Sequence, residues 1–180
     1  LKHSGVREIG KLILPRTVGL AITQLNYFAN LAISSLISTR AITIFSFAQQ
    51  LAAVPIGVFA ATISQAALPT LSEEQAKEDG LVAFKKTFLT SLHQILFLVC
   101  PAAAILIVLR IPIVRLVYGA SKFDWTATVD TGLVLAFLGV GLVAESAINL
   151  FVRGFYALHD SKTPVIIGSL TVILNIALSV

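Results

Sequence analysis

The chain has 180 residues, of which 57% are hydrophobic and 12% are charged, and its mean hydropathy is +0.92. Soluble domains carry about 45–50% apolar and about 25% charged residues, so the composition excludes a soluble domain and predicts a membrane protein. The net charge of +4 comes from basic residues scattered at the ends of apolar runs. No basic face is interleaved with aromatic residues, which argues against nucleic acid as a partner.

Residues 1–16 are predicted to form an interfacial linker on the cytoplasmic side. Apolar residues fall on one helical face and basic residues on the opposite face, which is typical of a helix lying on an anionic membrane surface. These residues are Val6, Ile9 and Ile13 against Arg7 and Lys11. A basic extension of the first span is an equally good interpretation. The chain holds no methionine and begins in this basic segment, so we expect an internal fragment of a longer protein.

Four apolar runs are long enough to cross the hydrocarbon core, which needs about 20 residues of α-helix. They cover residues 18–37, 41–71, 87–109 and 129–151, and a fifth run at 165–180 is truncated. Backbone groups in lipid must be bonded within the segment, and the alternation expected of barrel strands is missing. The predicted fold is therefore all-α, a polytopic transmembrane helical bundle that forms one domain over the whole chain.

Basic residues are distributed unequally between alternate connections. Nine lie on the side of the N-terminus and four on the other side: Lys2, Arg7, Lys11, Arg16, Lys77, Lys85, Lys86, Arg153 and Lys162 against Arg40, Arg110, Arg115 and Lys122. Because cytoplasmic loops are enriched in Lys and Arg, the first side is predicted to be cytoplasmic. Tyr118, Phe123 and Trp125 then fit an aromatic belt at the outer boundary.

Polar residues form a stripe on each of the first two spans. In the first span, four polar residues spaced three, four and four apart fall on one helical face: Thr23, Asn26, Asn30 and Ser34. In the second, polar and small residues share about a third of the circumference: Ser46, Gln49, Gln50, Ala53, Gly57 and Ser64. Such stripes face either another helix or a water-filled cavity. Pro55 favours the cavity, because it removes a backbone hydrogen bond in the middle of the span.

Glu145 lies clearly inside the fourth predicted span, and Asn149 and Arg153 follow on the same side of the helix. The surrounding apolar residues contribute about 6 kcal/mol to insertion, against about 3 kcal/mol for one central charge, so the helix inserts with Glu145 intact. A carboxylate at this depth has to face protein or water, and we predict a functional role for it. The alternatives are a structural contact with a further helix, or a protonated acid that is satisfied by Asn149.

The sequence gives little support for catalysis. It holds no Ser, His and Asp set, no CxxC pair and no phosphate-binding glycine loop, so a transporter is favoured over an enzyme. The single cysteine, Cys100, lies in an apolar run and is predicted to be a buried structural thiol.

Four stretches resemble, in the same order, segments of the MurJ/MviN family of lipid II flippases. They are "LPRTVGLAITQLNYFANLAISSLI", "FAQQLAAVPIGVFAATISQAALPTLSEE", "FLVCPAAAILIVLRIPIVRLVY" followed by "FD", and "VRGFYALHDSKTPV". The resemblance covers essentially the whole chain. Each stretch alone is a weak signal, whereas four in order at the right spacing are a strong one.

The resemblance implies a membrane transporter with two lobes around a central cavity, in the superfamily of multidrug, oligosaccharidyl-lipid and polysaccharide exporters. The chain would be most of the C-terminal lobe, helices seven to ten with part of eleven, and its partner would be the N-terminal lobe. Family members carry an undecaprenyl-pyrophosphate-linked peptidoglycan precursor across the bacterial cytoplasmic membrane by alternating access. The two polar stripes would line the cavity. In "HDSKTP", Asp160 and Thr163 are predicted to cap a turn before Pro164.

The chain departs from the family at two places. Many members have an Asp-Arg pair where this chain has Gln49 and Gln50, and a lysine about where Asn149 stands. Cationic groups there would pair with the pyrophosphate of the cargo, and amides do not supply that charge. Either the N-terminal lobe provides it, helped by Arg153 at the cytoplasmic mouth, or the protein moves another lipid-linked oligosaccharide or a cationic drug. A scaffold for cell-wall enzymes is a third hypothesis, which Glu145 disfavours.

The energy source is expected to be a monovalent cation or the membrane potential, and no other cofactor is expected. Asn30 and Asn175, with Ser179 one turn further on, are candidate oxygen ligands for such a cation.

Overall fold

A computed structural model describes most of the chain beyond the first predicted span: residues 38–77, 80–119 and 123–179, with isolated helical positions at Gln24, Phe28 and Ala32. The predictions for the interfacial linker and the first span lie outside the described residues. The described part is helical and contains no strand. Three of its helices are long and apolar enough to cross a membrane: Arg40–Gln75, Gly80–Val108 and Trp125–Ala157. The predicted all-α transmembrane bundle is confirmed.

The helices follow one another with short connections. Their bounds are α1 (Thr39–Pro55), a π-helical segment (Ile56–Ala61), α2 (Thr62–Gln75), α3 (Gly80–Val108), α4 (Arg110–Tyr118), α5 (Trp125–Ala157) and α6 (Lys162–Ser179). The π-helical segment joins α1 and α2 into one continuous helix where the sequence places a single span. Helices α3 and α5 extend beyond their apolar runs into polar residues at their ends.

Helix α5 is the centre of the bundle, and α1, α2, α3 and α4 all contact it. Its buried residues recur at intervals of seven or eight, as Thr128, Leu135, Leu142, Leu150 and Ala157, and form one continuous stripe. This spacing matches two turns of an α-helix, so one face of α5 is covered along its whole length.

Glycines on the buried face of α5 let α3 approach closely. A Cβ atom added at Gly139 would lie 2.8 Å from Ile107 Cγ1, and one added at Gly154 would lie 2.8 Å from Phe88 Cε2. Small residues at such crossings are typical of membrane helices, which associate through close packing rather than through exclusion of water. The approach of α3 to α5 therefore depends on the absence of a side chain at these two positions.

The end of the bundle that is predicted to face outward is held by polar and aromatic contacts. The Arg40 guanidinium donates to the Thr126 hydroxyl and lies 3.5 Å from an Asp130 oxygen, which ties α1 to α5. The Phe47 ring stacks on Tyr118 with centroids 4.4 Å apart, and Phe123 packs edge-on against Phe47. The beginning of α1 is thus fixed against α4, α5 and the connection between them.

At the opposite end, the turn between α5 and α6 is capped as predicted. Asp160 Oδ1 accepts hydrogen bonds from the backbone amides of Lys162 (3.0 Å) and Thr163 (3.1 Å), and Oδ2 accepts one from the Thr163 hydroxyl (2.5 Å). His159 precedes it in the left-handed region at φ 58°, where the chain leaves α5. The hydrogen bonds from Thr163 lower the pKa of the Asp160 carboxyl below its ordinary value of 3.8.

Substituting Gly139 by Ala should destabilise the bundle, because the new methyl group meets the Ile107 side chain at 2.8 Å. Overpacking of this kind costs about 1–3 kcal/mol. Gly141 is the matched control, since a Cβ atom there meets nothing within 4 Å. Thermal unfolding of the full-length protein in detergent should show a lower Tm for Gly139→Ala and no loss for Gly141→Ala. Equal Tm values for the two variants would contradict the close approach of α3 to α5.

The Asp160 cap should make part of the stability pH-dependent. Because the folded-state pKa is lowered, the stabilisation is complete above the unfolded value of 3.8 and is lost as the pH falls through the folded value. We expect the Tm of the Asp160→Ala variant to lie below that of the parent protein by a constant amount above about pH 5, and the gap to close in acid. Asp160→Asn keeps an acceptor oxygen but does not titrate, so its stability should lack this pH dependence.

Candidate functional site

A proline and a hydroxyl mark the point where the long first helix departs from α-helical geometry. Pro55 has no N–H, so the usual hydrogen bond to the carbonyl four residues earlier is absent. The chain then continues as the π-helical segment Ile56–Ala61. Where this segment ends, the Thr62 hydroxyl donates to the Val58 carbonyl and also lies 3.1 Å from the Phe59 carbonyl oxygen. Thr62 thereby supplies a partner to backbone groups that the wider turn leaves less well bonded.

The π-helical segment changes which face of the helix is buried. It inserts about one extra residue into the turn, which rotates everything after it by about 100°. Before it, Ala48 and Ala52 face the bundle, and after it Ser64 and Leu71 do. Ser64 is fully buried, so the prediction that it shares a face with Gln49 and Gln50 is wrong. The prediction assumed an uninterrupted α-helix.

The remaining members of the stripe lie on the surface of the described bundle. Gln49, Gln50, Ala53 and Gly57 are exposed, and Ser46 is partly exposed. Neither glutamine amide has a hydrogen-bond partner among the described residues. The amide pair therefore does not join the described helices to one another. In hydrocarbon, an unpaired amide costs several kcal/mol, so this surface faces water or further protein rather than lipid.

The exposed polar face continues past the π-helical segment through residues that the sequence analysis missed. Thr62 and Gln65 are both exposed on α2. With Ser46, Gln49, Gln50, Ala53 and Gly57 they form a surface that we call the polar face. A helical wheel drawn at 3.6 residues per turn does not include the extra residue of the π-helical turn, so it places the α2 residues on another side of the helix.

Glu145 is exposed on α5, beside the buried stripe. Asn149 donates its Nδ2 hydrogen bond to the backbone carbonyl of Glu145 at 3.1 Å, not to the carboxylate. The alternative in which Asn149 satisfies a protonated Glu145 is therefore wrong. Arg153, one further turn along, is partly exposed and forms no ion pair with Glu145. Within the described ranges, the Glu145 carboxylate has no partner.

The packing register relates Glu145 to the polar face. Arg40 on α1 contacts Thr126 and Asp130 on α5, and the two helices run in the same direction. Gly57 lies 17 residues beyond Arg40, and Glu145 lies 19 residues beyond Thr126 and 15 beyond Asp130, which is about 25 Å along each helix at 1.5 Å per residue. The π-helical segment also contacts α5 directly. Glu145 and Gly57 thus lie at similar depth. Whether they line one cavity stays a prediction.

A groove of about 620 Å³ lies between α2 and α3 at the end of the bundle that is predicted to be cytoplasmic. Its polar lining includes Thr70, Glu74, Lys86, Thr87 and Gln94. The Thr87 hydroxyl donates to Glu74 Oε1 at 2.8 Å. This feature was not among the sequence predictions, although the spacing of polar residues three, four and seven apart in "KTFLTSLHQ" is the signal for one polar helix face.

The remaining predicted site residues either lie outside the described residues or are seen only as exposed positions. Thr23, Asn26, Asn30 and the side chain of Ser179 lie outside the described residues, so the cation site stays a prediction, and Asn175 is exposed. Cys100 is exposed on the apolar surface of α3, so the prediction of a buried thiol is wrong. Helix α3 buries the neighbouring Val99 and Ala103, which turns position 100 outward.

These features define a multi-pass helical membrane protein whose long apolar helices carry an exposed polar face and an intramembrane carboxylate. The chain belongs to a transporter family: the family model described as "Lipid II flippase MurJ" matches residues 1–180. No solved structure matches the chain.

Individual relatives carry the same description. A probable lipid II flippase MurJ of Rhizobium meliloti is 33% identical over 97% of the chain and 32% of the relative. One of Haemophilus influenzae is 28% identical over 97% of the chain and 35% of the relative. A lipid II flippase MurJ of Burkholderia cenocepacia is 28% identical over 92% of the chain and 32% of the relative. The chain thus spans about a third of the length of the curated relatives that it matches.

Cysteine labelling should test whether the polar face is wet. In a Cys100→Ala background, Gln49→Cys and Gln50→Cys should react with a water-soluble maleimide, because the reactive thiolate forms only in contact with water. The parent protein is the control, since its native Cys100 is exposed on the apolar surface of α3. It should react far more slowly. Equal rates at positions 49 and 100 would show that both surfaces meet the same environment and would contradict the assignment.

Proposed function

We propose that this chain is one lobe of a flippase that moves a lipid-linked peptidoglycan precursor, lipid II, from the inner to the outer leaflet of the bacterial cytoplasmic membrane. The observation that carries the proposal is the family match over all 180 residues. Relatives of about three times the length bear the name lipid II flippase, which supports a second lobe outside this chain. The protein is then a transporter that leaves its cargo chemically unchanged.

Electrostatics support an internal passage beside α1 and α5. A carboxylate placed against lipid at the centre of a helix costs about 3 kcal/mol, and Glu145 has no partner in the described bundle to offset that cost. The unpaired amides of Gln49 and Gln50 add to it. Covering this side of the bundle with a second lobe, and placing water between the two, removes the cost and leaves the polar face as one wall of the passage.

The polar face is suited to the hydroxyl, amide and phosphate groups of a glycan-linked lipid. Glutamine amides both donate and accept hydrogen bonds, and the open space at Gly57 leaves room for a bulky headgroup. Positive charge for the pyrophosphate comes from the second lobe in this proposal, with Arg153 contributing near the cytoplasmic end. Helix α1 bends at Pro55 and the π-helical segment as the passage opens to each side in turn, driven by a monovalent cation or the membrane potential.

A second candidate is an exporter of another lipid-linked oligosaccharide or of a cationic drug. Glu145 favours it, because an unpaired carboxylate inside the membrane attracts a cation, and because amides stand where many family members carry charged residues. A cargo with a positive charge would form an ion pair with Glu145, whereas lipid II would donate hydrogen bonds to it from hydroxyl and amide groups.

Complementation tests the proposal. The full-length gene should restore growth to a bacterium depleted of its lipid II flippase. Glu145→Ala, and Gln49→Ala combined with Gln50→Ala, should each reduce transport roughly tenfold, as expected for loss of one or two hydrogen bonds to charged groups, without lowering membrane abundance. If abundance falls while the remaining protein transports normally, these residues hold the bundle together instead. Failure of the parent gene to complement, with export of a cationic dye that Glu145→Ala abolishes, would favour the second candidate.

A further inference from the structure

The groove between α2 and α3 lies outside the polar face and holds two opposite charges that do not neutralise each other. Glu74 and Lys86 both line it, yet no ion pair joins them, and the ion pair within the described residues is that of Arg40 with Asp130. Opposite charges that share a groove without touching leave room for a ligand that carries both signs. This separation is the first observation behind the proposal.

Each charge in the groove keeps unused hydrogen-bonding capacity. Glu74 accepts the Thr87 hydroxyl on Oε1, and its carboxylate has no other partner among the described residues. Lys86 is exposed, and Thr70 and Gln94 have no hydrogen-bond partner among the described residues. A carboxylate that accepts one hydrogen bond keeps capacity for a further donor, and an ammonium group is the strongest such donor. The lysine, the hydroxyl and the amide together suit a phosphate.

The surface beyond the groove is apolar, which identifies the rest of the ligand. From Gln94, the same strip of α3 continues through Phe97, Leu98 and Ile105, spaced three, four and eleven residues further on. Phe97 is 78% exposed and Ile105 is 53% exposed. A ligand with a charged head in the groove and a hydrocarbon chain along this strip matches both surfaces.

We propose that this groove binds the headgroup of a zwitterionic aminophospholipid of the surrounding bilayer. The ammonium group donates to Glu74, the phosphate pairs with Lys86 and accepts from Thr70 and Gln94, and an acyl chain lies along the Phe97 strip. The site is separate from the passage for the transported cargo and does not depend on what that cargo is. It places a bilayer lipid between α2 and α3.

The test uses the natural full-length protein in nanodiscs of equal parts phosphatidylethanolamine, phosphatidylglycerol and phosphatidylcholine, with native mass spectrometry of the lipids that stay bound. Phosphatidylethanolamine should be retained roughly tenfold over phosphatidylcholine, whose methylated ammonium cannot donate a hydrogen bond. This comparison changes only the lipid, so it stands even if a variant fails to fold. Equal retention of the two lipids overturns the proposal.

Adjacent residues of like charge provide the matched controls. Glu74→Gln should abolish the preference for phosphatidylethanolamine, whereas Glu73→Gln, on an exposed neighbour outside the groove lining, should leave it unchanged. Lys86→Gln should reduce retention of all three phospholipids, whereas Lys85→Gln should not. If the Glu73 and Glu74 variants behave alike, or the Lys85 and Lys86 variants do, general surface charge accounts for the binding and the groove site is wrong.

Discussion

Hydrocarbon offers no hydrogen bonds, and this constraint decides where each polar group of the bundle can lie. Backbone groups are satisfied within the helices, and where the helix is interrupted at Pro55 the Thr62 hydroxyl bonds to nearby carbonyls. A polar side chain that has no partner in the bundle finds none in lipid either. Gln49, Gln50 and Glu145 lie on the surface of the described bundle without a partner, so something polar has to cover each of them.

The two ends of the bundle are built differently. At the end that is predicted to face outward, Arg40, Phe47 and Tyr118 fix α1 against its neighbours through an ion pair and stacked rings. At the opposite end, a groove lies between α2 and α3, and the Thr87–Glu74 hydrogen bond joins its two sides. The end predicted to face outward is thus held by an ion pair and stacked rings, whereas a side-chain hydrogen bond joins the two helices that flank the groove.

Sequence reasoning succeeded where the signal is composition or local chemistry. Apolar runs predicted the membrane-crossing helices, and Asp160 with Thr163 predicted the cap before α6, because both depend on residues adjacent in the chain. It failed where the burial of a residue depends on tertiary geometry. Ser64 is buried because the π-helical turn contains an extra residue, which a helical wheel drawn at 3.6 residues per turn leaves out. The exposure of Cys100 depends on which face of α3 meets α5, and an apolar run does not specify that face.

The π-helical segment also shifts the helical repeat of this long helix, so its two halves have to be compared with other helices separately. Its outer half and its inner half each follow an ordinary helical repeat, but the two repeats are out of phase by about one position. Crosslinking pairs, chimeras or aligned substitution patterns chosen on one half therefore do not extrapolate to the other. A single-residue deletion between 56 and 61 would bring the halves into phase with the same surfaces buried, whereas conversion of the segment to α-helix without a deletion would exchange the surfaces that the inner half shows to its neighbours and to its surroundings.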